Sequence, residues 1–287
     1  MRIMQSRIAR SAKKALEAPH AMIYFAPELE RETTALGLEP GSMSYFAGRA
    51  APMGPVGPGV VAATFYNFNP ELVATCIPKA WEIASPEKVV AARFRAASAA
   101  LERLLGSETV RSETVLEAAR LTEEAAEACP PAGKPLFAAH ADLPRPKEPH
   151  TRLWHALTLL REFRGDAHIA ALQHALVGPL EALVLQSATG KGMNAATLRR
   201  TRHWSEQQWS ETAEQLTERG LLEDSGGLSE QGRELLEEVE QATDAASLAP
   251  WRHLGEDKAN RLFEHGSALS ARVVEGGAFP KEIFSHQ

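Results

Sequence analysis

The side chains best suited to chemistry near neutral pH gather in one short run: His155, Arg161, Arg164, Asp166 and His168. Histidine is the residue whose charge changes in the physiological range, so His155 and His168 are the candidates for proton transfer. Gly165 is expected to interrupt the helix here, with Asp166 capping the next helix and Arg164 and His168 turned toward a shared space. A second group lies near the N-terminus. His20 comes directly after Pro19 in a predicted turn, and Tyr24 stands four residues on, which suits polar groups lining an apolar pocket. Arg49 adds an anion contact, the Met53-Gly54 segment a close backbone approach, and Tyr66 an aromatic wall.

His20, His155 and His168 also carry the donor type for a transition metal or a haem iron. No His-Glu-X-X-His pattern occurs, and His155 and His168 straddle the expected helix break, so no metal-ligand set is assigned. Other patterns are false. Gly190-Lys-Gly192 lacks the preceding glycine spacing of a phosphate-binding loop. Pro55 and Pro58 remove N–H donors from the first glycine-rich stretch. Ser11 and Lys14 share a Ser-X-X-Lys spacing on a basic amphipathic helix, and no Gly-X-Ser-X-Gly elbow is present.

The elements that must position these residues are helical. A chain of 287 residues with 44% hydrophobic content is long enough for about two domains with sizeable cores. Two cysteines, Cys76 and Cys129, make neither a disulfide framework nor a cysteine zinc site. The net charge of −6 gives no global attraction to nucleic acid or anionic lipid. The basic segment Met1–Ile8 leads into no apolar core, and no apolar run approaches the ~20 residues of a bilayer span, so the expected compartment is the cytoplasm.

Helices are predicted over 6–18, 28–36, 107–128, 151–164, 166–177 and 179–188, with others starting at Pro70 and behind the Ser85 cap. Gly41 to Gly59, rich in Gly and Pro, is expected to break regular structure. Six prolines between Cys129 and Pro149 argue against a helix there and mark a linker. The predicted organisation is therefore an N-terminal helical domain over 1–129, a Pro-rich linker over 130–150, and a second helical domain over 151–287. Residues 230–247 and 256–274 are its last helices. Ala259, Leu262, Phe263, Leu269 and Val273 line one face of the final one, as core or as a homodimer contact. Spacings around Trp81 and Trp204 echo one another, which leaves open whether the first domain is a degenerate copy of the second or the match is chance.

Ala195–Leu236 has a more specific order. A short helix ends near Trp204, Ser205 caps a helix over 206–218, and Arg219-Gly-Leu-Leu222 leads through Gly226-Gly227 to Leu228-Ser-Glu-Gln-Gly232 and a long helix. This order is similar to the wing region of MarR-type winged-helix proteins. The expected fold class is all-α, two helical domains, the C-terminal one a winged helix with a minimal β-hairpin wing. The charge is unusual for such a module. Residues 205–240 hold eleven carboxylates against Arg219 and Arg233, a net of −9, which would repel phosphates. Arg199, Arg200 and Arg202 form the one basic cluster beside it.

His20-Ala-Met-Ile-Tyr-Phe25, Phe46-Ala-Gly-Arg-Ala-Ala-Pro-Met53, Ala62-Ala-Thr-Phe-Tyr-Asn-Phe68 and the run Trp154–Leu172 together resemble an actinobacterial helix-turn-helix family to which no reaction is assigned. The resemblance implies a helix-turn-helix domain in the C-terminal half. The leading expectation is a winged-helix-derived protein that binds a small molecule in a cleft between its halves through His20, Tyr24, Arg49, Tyr66, His155, Arg164 and His168. The alternatives are a ligand-responsive DNA-binding regulator using Arg199, Arg200 and Arg202, and an enzyme with His168 or His155 as general acid–base.

Overall fold

The structure, a computed structural model, describes residues 2–280 and 282, with side chains described from residue 8 onward. Met1, Lys281 and the residues after Glu282 lie outside it, so the leader reading of the first residues and the end of the 151–287 domain fall partly beyond the described residues. Sixteen α-helices succeed one another among them. The first eight are α1 (Arg2–Ala21), α2 (Pro27–Thr34), α3 (Ser42–Ala50), α4 (Pro58–Phe65), α5 (Pro70–Cys76), α6 (Lys79–Ile83), α7 (Pro86–Leu105) and α8 (Glu113–Ala126). The rest are α9 (Pro135–Ala141), α10 (Pro149–His174), α11 (Pro179–Ala188), α12 (Ala195–Arg202), α13 (Glu206–Glu218), α14 (Glu230–Ala246), α15 (Ala249–Leu254) and α16 (Glu256–Glu275). The protein is all-α: no strand forms among the described residues, and a single isolated antiparallel bridge joins Leu222 to Leu228. No single helix is long and apolar enough to cross a membrane.

Proline position explains several helix starts. Pro at the first helical position costs no hydrogen bond, and it opens α2, α4, α7, α9 and α11. The same rule corrects two expectations. Pro135 starts α9 inside the stretch read as a linker, because only its first N–H is missing and that group has no helical partner anyway. Ser42–Ala50 is helical although Gly and Pro flank it and Gly48 lies within it; the glycines with positive φ, Gly41 at 76° and Gly54 at 78°, stand outside the helix. Pro19 lies within α1, so His20 belongs to that helix's last turn and not to a separate turn. Gly165 does not interrupt α10 either. One glycine costs a helix about 1 kcal/mol, too little to end it when the flanking residues are buried on both sides.

The chain divides into two compact units, each built from separate stretches. The first comprises residues 1–56, 76–167 and 244–279; the second comprises 57–75, 168–243 and 280–287. In the first, α1 lies against α16, α2 against α7, and α8 against α15 and α16. Ala259, Leu262, Leu269 and Val273 of α16 are all buried in that core, together with Trp154, Phe163 and Trp251. Small residues let α1 and α16 approach: a Cβ at Gly266 would lie 2.4 Å from Leu16 and 3.0 Å from the Ala15 carbonyl oxygen.

The second unit holds α12, α13 and most of α14. Asn194 caps α12 by accepting from the Thr197 amide at 2.9 Å, and Ser205 and Gln208 cap α13 reciprocally at 3.0 Å. Gly220, with φ of 73°, ends α13 as the sequence pattern requires. Asn69 and Asn67 pin the turn between α12 and α13: Asn69 Nδ2 donates to the His203 carbonyl at 3.0 Å, and Trp204 Nε1 donates to that of Asn67 at 3.0 Å. Gly232 is fixed by contact. A Cβ there would meet the Leu221 carbonyl oxygen at 2.1 Å, so the Leu-Ser-X-X-Gly pattern records how closely α14 passes the preceding loop.

Candidate functional site

Burying a guanidinium is costly unless charge and hydrogen bonds compensate it. The first unit buries several around one polar centre. Arg49 comes from the last turn of α3, Arg93 from the second turn of α7, and Arg161 with Glu162 from the middle of α10. Arg49, Arg93 and Glu162 are buried, and Glu162 accepts from Arg161 Nη1 at 3.0 and 2.9 Å and from Arg49 Nη2 at 3.4 Å. Arg49 Nη1 also donates to the Tyr45 hydroxyl at 3.0 Å. The Arg49 and Arg161 guanidinium carbons each stand 5.8 Å from the centre of the Tyr24 ring.

Arg93 is held differently. Its Nη1 lies 3.4 Å from His140 Nε2 and its guanidinium carbon 5.0 Å over the Trp154 ring. Its Nη2 is buried with no hydrogen-bond partner among the described residues. Electrostatics separates the three arginines. Burial works against the charge of each, but Glu162 and the tyrosines more than restore it at Arg49 and Arg161, whose pKa values rise. At Arg93 burial prevails and the pKa is lowered. Burial raises the Glu162 carboxyl, yet Arg161 and then Arg49 outweigh it and hold the group far below the carboxylate range.

A hydrogen-bonded chain runs beside these charges. Thr158 Oγ1 donates to the Trp154 carbonyl at 2.9 Å, the usual back-bond of a helical threonine. Its one proton is thereby used, so at 3.1 Å it must accept from His20 Nδ1–H. Burial, then Arg161, hold the His20 pKa well below 6.5, so the ring is neutral and Nε2 is an acceptor. The Tyr24 hydroxyl, 3.0 Å away, is the donor to it. Burial likewise raises Tyr24, keeping it a phenol. Trp154 stacks on His20 and donates to its carbonyl at 3.3 Å, which fixes the imidazole from the far side.

Arg161 and Tyr24 are the partly accessible members of the cluster: the Arg161 side chain keeps 32% of its surface accessible and Tyr24 is half-buried. A separate pocket of about 420 Å³ in the same unit is lined by Phe137, Leu143, Leu159, Cys129 and His155. His155 Nε2 donates to the His140 carbonyl at 3.1 Å, and burial lowers its pKa. Burial pushes the Cys129 thiol up to about 12, so it is inert as a nucleophile.

Of the expected site residues, His20, Tyr24 and Arg49 gather in this cluster, and His155 borders it through His140. The others do not join it. Arg164 Nη2 bonds the fully buried Asp244 at 2.9 Å, a carboxylate that also accepts from Arg10 at 2.7 Å. His168 and Tyr66 belong to the second unit, where His168 Nδ1 is 3.1 Å from Thr243 Oγ1 and the Tyr66 hydroxyl donates to the Val177 carbonyl. Asp166 caps the wrong helix for the sequence reading: its Oδ2 accepts from the amides of Leu136 and Phe137, at 3.1 and 3.0 Å, at the start of α9. Burial pushes its pKa up to about 6 despite those donors. Arg93, Glu162, His140 and Thr158 escaped sequence reading. Among the described residues no cluster of three metal-ligating side chains forms, and both ring nitrogens of His20 are engaged.

The basic cluster beside α13 is largely committed. Arg199 pairs with Glu206 at 3.3 Å, and the Arg202 guanidinium carbon lies 4.8 Å over the Phe68 ring. Arg200 is exposed, and so are the four glutamates of α13. Arg219 and Arg233, the two cations opposing the acidic stretch, pair with Glu181 and Glu223.

No curated protein and no solved structure matches this sequence significantly. A family model described as a helix-turn-helix family matches residues 9–280, nearly the whole chain, so the protein belongs to that helix-turn-helix family.

Proposed function

We propose that this protein binds a small anionic molecule in its first, helical unit, and that its second unit retains the family's helix-turn-helix scaffold. One observation carries the reading: Arg93 is 4% exposed and, among the described residues, has no carboxylate hydrogen-bonded to it and no partner for Nη2, while Arg49 and Arg161 share Glu162. An uncompensated buried cation is destabilising unless something supplies the missing charge, and a bound anion does. Aromatic rings around a few convergent polar groups are the usual lining of a small-molecule site. The test is a thermal-shift screen at constant ionic strength, pairing carboxylates and phosphates with their neutral amides or esters. Stabilisation by the acids alone, lost in Arg93→Met, supports the proposal; equal shifts in the variant remove it.

Family membership favours a second reading, a ligand-responsive DNA-binding regulator. In that reading 195–236 is a winged helix whose wing is reduced to the Leu222–Leu228 bridge. Arg199, Arg200 and Arg202 would then carry the phosphate contacts, because α13 offers four glutamates and no cation. Electrostatic binding is strongest at low salt, so absence of a gel shift at ~50 mM salt would remove it.

A further inference from the structure

The pocket of about 420 Å³ that His155 lines has a chemistry opposite in sign to that of the arginine cluster. It lies wholly in the first unit, between the last turns of α8, α9 and the first half of α10. Its volume is usual for a site that takes a small organic molecule. Phe137, Leu143 and Leu159 give it an apolar wall. Burial keeps the Cys129 thiol protonated, so that side chain adds to the wall and not to the charge.

The polar groups that remain are acceptors. Arg145 is the one cation among the lining residues, and it is bonded to Glu123, which Arg152 also holds at 3.0 and 2.7 Å. Glu127 and Asp142 are exposed at the rim, and their carboxylates have no ion pair or hydrogen bond among the described residues. Deeper in, His155 is 7% exposed. Its Nε2–H donates to the His140 carbonyl at 3.1 Å, so the neutral ring carries its free lone pair on Nδ1. That nitrogen has no partner among the described residues, yet it is not one of the fully enclosed orphan atoms; the surface it keeps belongs to the pocket that the ring lines.

An unmet acceptor in an apolar pocket, with two unpaired carboxylates at the rim, is satisfied by a ligand that brings N–H groups and positive charge. A metal ion would need more, and no three ligating side chains cluster among the described residues. We infer that this pocket takes a small organic amine as its ammonium ion, with an apolar body against Phe137, Leu143 and Leu159 and an N–H donated to His155 Nδ1. Glu127 and Asp142 supply the charge that favours a cation. The inference stands apart from the anion reading of the arginine cluster and does not rest on it.

The experiment is titration calorimetry of the full chain at fixed ionic strength with 3-phenylpropylamine, 3-phenylpropanol and propylamine, which share either the ring or the head group. The amine with the ring should bind about tenfold more tightly than the alcohol and than propylamine. Glu127→Gln combined with Asp142→Asn, both at exposed positions, should remove the advantage over the alcohol and leave alcohol binding unchanged. His155→Gln keeps a donor for the His140 carbonyl and lacks the Nδ1 acceptor, so it should weaken 3-phenylpropylamine about fivefold. A thermal melt establishes that this variant is folded, and the carboxylate pair decides the matter if it is not. Equal affinity for amine and alcohol, propylamine binding as tight as that of 3-phenylpropylamine, an advantage that survives the carboxylate pair, or unchanged affinity in folded His155→Gln overturns the inference. So does no binding of 3-phenylpropylamine.

Discussion

Nη1 of Arg93 lies 3.4 Å from Nε2 of His140, while its Nη2, also buried, has no hydrogen-bond partner among the described residues. A cation is thus held by a neutral ring and an indole face, where structural arginines normally meet a carboxylate. The arrangement costs stability in the absence of an anion. Arg93→Met, which fills similar volume without charge, should raise stability in ligand-free buffer by about 1 kcal/mol. Denaturant melts measure it; a loss beyond about 2 kcal/mol would mean that Arg93 is a structural strut.

Four buried histidines predict acid sensitivity. Burial lowers His20, His140, His150 and His155, so each stays neutral in the folded chain and takes a proton when unfolded. Their contribution is present above pH 6.5 and is lost as pH falls below it. Asp166 acts oppositely: pushed up to about 6, it binds a proton in the folded state first and gains stability between pH 6 and 4. Four sites against one leave stability falling as the pH drops from 7 to 5. A flat stability profile from pH 7 to 5 contradicts the neutral assignment of these rings.

Asp166 accepts from two amides, and with its carboxyl pushed up to about 6 the charge it carries at pH 7.5 opposes folding. Asp166→Asn keeps an acceptor oxygen and removes that charge, so it should be at least as stable as the parent at pH 7.5, and Asp166→Ala, which leaves two amides at the start of α9 unpaired, should be about 1–2 kcal/mol less stable than Asp166→Asn. Comparable losses in both would show that the charge matters.

Gly232→Ala is expected to destabilise by about 2–3 kcal/mol, since its new methyl would overlap the Leu221 carbonyl and backbone must move. A change under about 0.5 kcal/mol would show that α14 does not pass that close.

Local signals were legible because local physics decides them. The Ser205 and Asn194 caps, the Gly220 terminus and helices α11 and α13 are set by residues within one turn. Gly165 and Pro19 misled because burial in α10 and α1 outweighs a breaker's local penalty, and the proline-rich stretch because Pro135 carries none at the start of α9. The site divides similarly. His20, Tyr24 and Arg49 stood out as polar residues among apolar ones. Arg93 lies in α7 amid alanines and Lys88, Arg95 and Arg103, and Glu162 beside two arginines, so each reads as solvated helix surface; only packing of α3, α7 and α10 reveals that they are inside. His168 was chosen for the apolar run after it, of which Ala171 and Leu172 belong to the second unit's core.

The most direct measurement is anomalous diffraction from crystals soaked in sodium bromide, because a halide reports a cationic site without knowledge of the natural ligand. An ordered bromide within the Arg49, Arg93 and Arg161 cluster is the predicted result. Bromide peaks confined to surface arginines, with none in the cluster, would contradict it.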